Sequence, residues 1–488
     1  MACISKKSND EQYGFKRVPE KVEDITAEWC EKALKIGNYK AIISQDTKVE
    51  SVEVTRLQNE ITGVMDGGGF SGSTLLRITL RYRENTSGDE PTSIICKISL
   101  GSDIKWNLFW RLVMYSSNGG GFDEVLMRNE MSFLQNAIPL MENTDYKYPK
   151  IYYVGANNKK ERGFVSSVVF NTPTKVKSVI LMEDMAGYRS SAVGHILAKE
   201  DAILCMKNVA ILHAKFWGDK ELEAKSKFRI ANTEKQYRGA AYNKMSKYMR
   251  SQKMSSSEKM QAQIRKGMRS DWRTCEFMTI KPDGKKPAWF RAEPLENDSF
   301  AVLDDPLVKE MLDVFSKRIP EYDRKRLQPY LQKPIQTLLH GDFHGGNHMY
   351  GQEDKKGEIV AIDFQMAGTG RSLIDFIYLI LMSLSAHSFQ DIIDIAKEYH
   401  DQLISSGVDV YSWSELQQDF ESGMIEMLIM CISMFTMMKP KTLEKMTDGF
   451  GEKSEDAKKI FGGECGMYAK VFLIITDFYI KDKDNFMT

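Results

Sequence analysis

At 488 residues the chain exceeds what one hydrophobic core serves, so two or three structural units are expected, and its 42% apolar and 27% charged residues are those of an ordinary globular protein. A net charge of zero argues against nucleic acid or an anionic membrane as the main partner. Seven cysteines stand singly, at Cys3, Cys30, Cys96, Cys205, Cys275, Cys431 and Cys465, which excludes a disulfide framework and fits reduced thiols in a cytoplasmic setting.

The first residues, MACISKKSNDEQYGFKRV, lack the apolar stretch of a signal peptide. Asp24 or Thr26 then caps an amphipathic helix with Ile25, Trp29, Ala33 and Leu34 near helical spacing, and Gly37 ends it. From Val49 the period becomes two, in VESVEVTRL and, after ITGVMDGGGFSGST, in LLRITLRYR. Gly67, Gly69 and Gly72 form a G-x-G-x-x-G between these strands. Such a cluster can serve a plain hairpin. A dinucleotide fingerprint would open a helix, whereas strand, glycine loop, strand is the lid that kinases fold over nucleotide phosphates. Ser71, Ser73 and Thr74 would add hydroxyls for phosphate oxygen.

Ser93 to Ile98 reads as the third strand. Its Lys97 is either a solvated edge residue or, one hairpin after the glycine loop and with apolar neighbours, the lysine that pairs with the α- and β-phosphates. GGGFDEVLMRNEMSFLQNAI is helical, with Met127, Met131 and Leu134 on one stripe, and offers Glu124 and Glu130 as partners for that lysine. Strands are expected over 148–154, 165–170 and 177–185, and a long helix over 201–217 whose His213 is most simply a core histidine that ties down a loop. Residues 221–300, rich in Lys, Met and Ser, suit a helical insertion. A helix over 306–317 and turns at Pro320, Pro329 and Pro334 lead to the stretch around which the chain is organised.

That stretch is LLHGDFHGGNHMYGQEDKKGEIVAID, Leu338 to Asp363, followed by Phe364 and Gln365. Moving a γ-phosphoryl group requires a carboxylate that orients and deprotonates the attacking hydroxyl, and oxygen ligands for Mg²⁺ on the phosphates. Asp342 suits the base; Asn347, five residues on, and Asp363, closing the apolar run Ile359 to Ile362, suit the metal ligands. Helices are expected over 374–384, 389–405, 414–437 and 456–479, and the apolar run 427–438 is too short to cross a bilayer, so no membrane span is expected.

His-Gly-Asp stands where protein kinases have His-Arg-Asp, and Asp-Phe-Gln where they have Asp-Phe-Gly. HGDFHGGN followed by IDFQ resembles the phosphotransferases of the aminoglycoside and choline kinase type and, within them, the ecdysteroid kinase-like family. The resemblance continues through Asp375 in GRSLIDFIYLILMSLS, through LHAKFW at the end of the 201–217 helix and through the opening helix. It favours Glu130 over Glu124, because RNEMSFLQ resembles the family's Glu followed by an aromatic. It also makes the strand ending at Glu183 and Met185 the place where backbone groups would hold adenine.

The expectation is therefore an α+β, protein kinase-like two-lobed fold. An N-terminal extension (1–44) precedes a β-rich N-lobe (45–185) and a mostly helical C-lobe (186–488) with the catalytic loop at 338–365. ATP and Mg²⁺ would serve phosphorylation of a small-molecule alcohol, since no Ala-Pro-Glu segment follows Asp363 to seat a polypeptide. A non-catalytic nucleotide-binding module and a divergent protein kinase are the alternatives. Choline-like, aminoglycoside-like and steroid-like acceptors each want different pockets, and Trp413, Asp419 and Phe435 are among the side chains available.

Overall fold

The computed structural model describes residues 17–57, 73–83, 88–100, 122–157, 166, 170, 176–191, 197–222, 305–334, 336–384, 389–437 and 471–488. They divide into two compact units: the first takes the described residues up to Ser190 together with Met349–Met366, and the second takes the rest. In chain order the strands are β1 (Val49–Arg56), β2 (Ser73–Tyr82), β3 (Ser93–Ser99), β4 (Ile151–Ala156), β5 (Ser178–Glu183), β6 (Tyr188–Ser190), β7 (Thr337–Leu339), β8 (His348–Gly351), β9 (Ile359–Ala361) and β10 (Gly368–Gly370).

In the first unit, helix α1 (Ala27–Ile36) starts where Thr26 Oγ1 accepts the Trp29 N–H at 3.2 Å, so Thr26 rather than Asp24 is the cap. Its Trp29, Cys30, Ala33 and Leu34 pack with Leu76, Ile78 and Leu80 of β2 and Ile94, Cys96 and Ile98 of β3. Each such aliphatic side chain contributes about 1.5–3 kcal/mol on burial. The sheet order is β1-β2-β3-β5-β4, with antiparallel neighbours throughout. Because successive strand residues alternate faces, burying Cys96 and Ile98 turns Lys97 to the face away from α1. Except for Ser166 and Phe170, the strand expected over 165–170 lies outside the described residues.

Helix α2 (Phe122–Ser132) continues through a π turn at Phe133–Ala137 into Ile138–Met141. A small sheet, β6-β8-β9, joins the chain after β5 to the hairpin at 348–361. The 3-10 turn Phe364–Met366 closes the unit, its Phe364 stacked on Phe133 with ring centroids 4.3 Å apart.

The second unit is mostly helical: α3 (Lys199–Lys215), α4 (Pro306–Tyr322), α5 (Leu373–Ser383), α6 (Phe389–Ser405), α7 (Trp413–Met437) and a last helix at 471–481. A short antiparallel sheet pairs β7 with β10. The turn expected at Pro320 does not form; α4 runs through it and into a π turn at Asp323–Leu327. The proline removes one ladder bond, but burial of Tyr322 and Leu327 beyond it carries the helix on. Among the described residues no helix is long and apolar enough to cross a membrane. The observed architecture is the expected α+β one, an antiparallel sheet first and a helical region after it.

Candidate active site

Lys97 is the hub of the first unit. Its ammonium lies 2.8 Å from Glu130 Oε1 and 3.0 Å from Asp363 Oδ1. Of the two glutamates on α2, Glu130 is the one that meets it; Glu124 is buried elsewhere on the same helix. Burial alone would lower the Lys97 pKa, but the Asp363 and Glu130 carboxylates outweigh it and hold the ammonium charged. Glu130 is pushed up, first by burial, with Lys97 pulling the other way and Asp363 adding to the rise. Two carboxylates thus share one cation.

The most accessible of the three is Asp363, whose side chain is 29% exposed against 12% for Lys97 and 9% for Glu130. Asp363 also has φ of 64°, the left-handed region that non-glycine residues adopt at a cost and that clusters at functional sites. The strand before it is anchored by the Ala361 N–H on the Lys147 carbonyl (3.0 Å), and the residue after it by the stack on Phe133.

The chain leaving β5 is tied down on both sides. The Glu183 N–H donates to the Lys150 carbonyl (2.9 Å), and the Lys150 N–H returns a bond to Glu183 Oε2 (3.0 Å). Asp184 receives the Arg77 guanidinium in two bonds of 2.7 and 3.1 Å, and the Ser93 hydroxyl at 2.6 Å. The Met185 carbonyl accepts from the Tyr188 N–H (3.1 Å). Ser73 opens β2 opposite Ser99. Gly67, Gly69 and Gly72 lie outside the described residues.

In the second unit, the loop after β7 hangs on one buried carboxylate. Asp375, the lone acid of the apolar helix α5, accepts the His340 N–H at Oδ2 (2.8 Å) and the Gly341 N–H at Oδ1 (2.9 Å). Its Oδ2 also meets His213 Nε2 at 3.1 Å, and His213 Nδ1 lies 2.8 Å from the Tyr399 hydroxyl. His213 is therefore a buried tie, as the sequence indicated. Burial raises the Asp375 pKa, but His213 and the backbone donors outweigh it and leave it below the usual value. Gly341, at φ of 84°, turns the chain onto Asp342.

Beyond that anchor, Asn347 Nδ2 donates to the Asp342 carbonyl (2.8 Å) and to Asp342 Oδ2 (3.1 Å). Because its amide nitrogen is so engaged, the Asn347 oxygen is the atom left for a cation. His344 Nδ1 accepts the Gly346 N–H (3.1 Å), and its Nε2 stands 3.8 Å from Asp342 Oδ1, beyond hydrogen-bond length. Ser383 Oγ accepts the Gly345 N–H at 2.7 Å. Burial beside His340 pushes the His348 ring down to about 3, so it is neutral.

Taken each in its own unit, the Asp363 carboxylate and the Asn347 amide oxygen are hard oxygen ligands of the kind Mg²⁺ accepts and softer metals do not prefer. Among the described residues, no cluster of three or more His, Cys, Asp or Glu could hold a metal. Asp419 is a structural residue, buried against Lys333 Nζ (2.5 Å) and the Tyr411 hydroxyl (3.0 Å). Trp413 packs edge-on against His400, and the Phe435 side chain lies outside the described part. Sequence reasoning missed Asp184 and the Arg77 that holds it, since nothing local links residues 107 positions apart.

Residues 67–407 match the ecdysteroid kinase-like family. Among solved structures, the chain is similar to a microcompartment-associated aminopropanol kinase at 11% identity, covering 94% of this chain and 99% of that one with a TM-score of 0.39. An aminoglycoside phosphotransferase from Alicyclobacillus acidocaldarius subsp. acidocaldarius gives 12% identity, 88% and 92% coverage and a TM-score of 0.33. An amicoumacin kinase in complex with AMP-PNP, Ca²⁺ and its ligand gives 12%, 83%, 88% and 0.30. No curated protein matches. With well over half of its length matched, the chain belongs to the ecdysteroid kinase-like family.

Proposed function

We propose that the protein is an ATP- and Mg²⁺-dependent phosphotransferase that phosphorylates an alcohol on a small molecule. The observation that carries this reading is the bridge from Lys97 to both Glu130 and Asp363, a cluster with one partly exposed carboxylate. In this reading the Lys97 ammonium, steadied by Glu130, holds the α- and β-phosphates as a point charge. Gly67, Gly69, Gly72 and Ser73 line the phosphate lid. The Glu183 carbonyl and the Met185 N–H, neither of which makes the two bonds described above, meet the adenine edge.

Asp342 takes the acceptor's proton on Oδ1, the carboxylate oxygen that Asn347 does not engage, while the acceptor oxygen bonds to the γ-phosphorus and the bond to the β-bridging oxygen breaks to release ADP. Asn347 Oδ1 and the Asp363 carboxylate are the proposed ligands of Mg²⁺, which when bound offsets the charge of the phosphates. A small acceptor is supported by the short path after Asp363: one 3-10 turn and β10 lead straight into α5. ADP release with choline-like, aminoglycoside and lipophilic alcohols, run beside a protein mixture, tests the reading. Turnover on protein alone would replace it with a protein kinase. Nucleotide binding without turnover on any acceptor would favour a non-catalytic module.

A further inference from the structure

Helix α2 changes its hydrogen-bonding pattern three residues after Glu130. At the π turn Phe133–Ala137 the Ile138 N–H reaches back to the Phe133 carbonyl, and Pro139 follows. Having no N–H, Pro139 cannot serve the Leu134 carbonyl five residues back, and the Ile138 N–H that an α pattern would direct there is already committed. The Leu134 carbonyl accepts instead from Asn38 Nδ2 at 3.0 Å, across 96 positions of chain. Leu134 offers only a carbonyl at this point, which fixes which end of the Asn38 amide faces it.

The segment carrying Asn38 is shaped for the contact. Gly37 ends α1 at φ of 69° with its N–H on the Ala33 carbonyl, and a Cβ there would lie 1.7 Å from the Lys40 carbonyl oxygen, so only glycine makes this turn. The next two residues grip the far end of the same helix: the Tyr39 hydroxyl and Lys40 Nζ reach Glu142 Oε1 at 2.6 and 2.8 Å. Phe133, the first residue of the π turn, stacks on Phe364, the neighbour of Asp363. One turn of helix therefore sets both where Glu130 meets Lys97 and what lies behind Asp363. Residues 38–40 precede the part of the chain that matches the family.

We infer that Asn38 is a positioning residue for the Lys97–Glu130 pair: its amide replaces the helix bond that Pro139 removes and holds α2 in the register that brings Glu130 to Lys97. The inference rests on the nucleotide role proposed for that pair. The test compares the full chain with Asn38→Leu, which keeps size and loses the donor, by hydrogen exchange of residues 127–141 without ligand and by titration with Mg·AMP-PNP. Asn38→Leu is expected to speed exchange over 127–141 while 199–215 stays at the parental rate, and to weaken nucleotide binding about three- to tenfold, the span of one neutral hydrogen bond. In a Pro139→Ala background, where the missing N–H is restored, both effects should shrink.

Parental exchange and parental affinity in Asn38→Leu would overturn the inference. So would faster exchange with unchanged affinity, since the contact would then be structural only. Full effects persisting in Pro139→Ala would overturn the assignment of the Asn38 amide to the proline's missing bond. A parent chain that binds no nucleotide would instead sink the phosphotransferase reading, and the exchange measurement alone would then decide for or against the tie between Asn38 and α2.

Discussion

Lys97 and Asp342 stand in regions built in different ways. Around Lys97 two carboxyl groups meet one ammonium, with Asp363 partly open to solvent. Around Asp342 the support is one buried carboxylate met by dipoles: backbone N–H groups of His340 and Gly341 donate to Asp375, and Asn347 donates to the Asp342 carbonyl. The first arrangement puts one partly exposed carboxylate within reach of a ligand that brings charge of its own. The second has each of these donors matched in a dry setting, where dipoles hold geometry without needing an incoming partner. In the reading proposed above, the first region would meet the cation that accompanies the phosphates and the second would hold a base still.

The comparison breaks most visibly at Asp342. Asp342→Asn keeps the shape of the loop and should lower turnover by roughly 10²- to 10⁴-fold, the range of a general base, with the melting temperature and Mg·ATP affinity near the parent's. Parental ADP release from that variant would show that the loop only supports structure. The next largest effect is expected at Asp375→Ala, which strands the His340 and Gly341 N–H groups and His213 in a dry interior. At roughly 1–3 kcal/mol per orphaned group, denaturant unfolding should register a loss of about 3 kcal/mol or more; a loss within experimental error would mean the loop does not depend on this anchor.

In the charged region the expected response is in binding rather than folding. Lys97→Met should weaken Mg·ATP binding by about tenfold to a hundredfold, the worth of a charge-assisted hydrogen bond, and Glu130→Gln should give a milder form of the same defect. An effect at Glu124→Gln with none at Glu130→Gln would reassign the partner. The smallest effect concerns acid. Asp375 is held below its ordinary value of 3.8, so its contribution is complete above that pH, and as pH falls below it the unfolded chain takes up the proton first and stability is lost. Melting curves between pH 6 and pH 3 should fall more steeply for the parent than for Asp375→Asn; equal slopes would remove Asp375 from the account.

Much of this was readable from local pattern. Period two placed Lys97 on the opposite face from Cys96 and Ile98, and a single acid in LIDFIYLILM could only be buried with partners, though the pattern did not name them. What escaped reading depends on chain that is distant or on backbone that has no composition of its own. Asn38 answers a vacancy made by Pro139, a hundred positions on. The left-handed backbone of Asp363 leaves no trace in the residue type, and α4 continues through Pro320 because burial beyond it outweighs a local rule.

The hairpin at 349–366 belongs to the first unit although both of its flanks belong to the second. During synthesis, β6 therefore emerges long before the strand that pairs with it, with Tyr188 waiting for Gly351 and Ser190 for Met349. The first unit cannot be completed before residues of the second have been made; its small sheet and the carboxylate facing Lys97 arrive only after most of the polypeptide has emerged. A fragment cut after Ser190 would consequently expose an unpaired strand edge and lack Asp363, so the first unit is not an N-terminal module that a single cut could free.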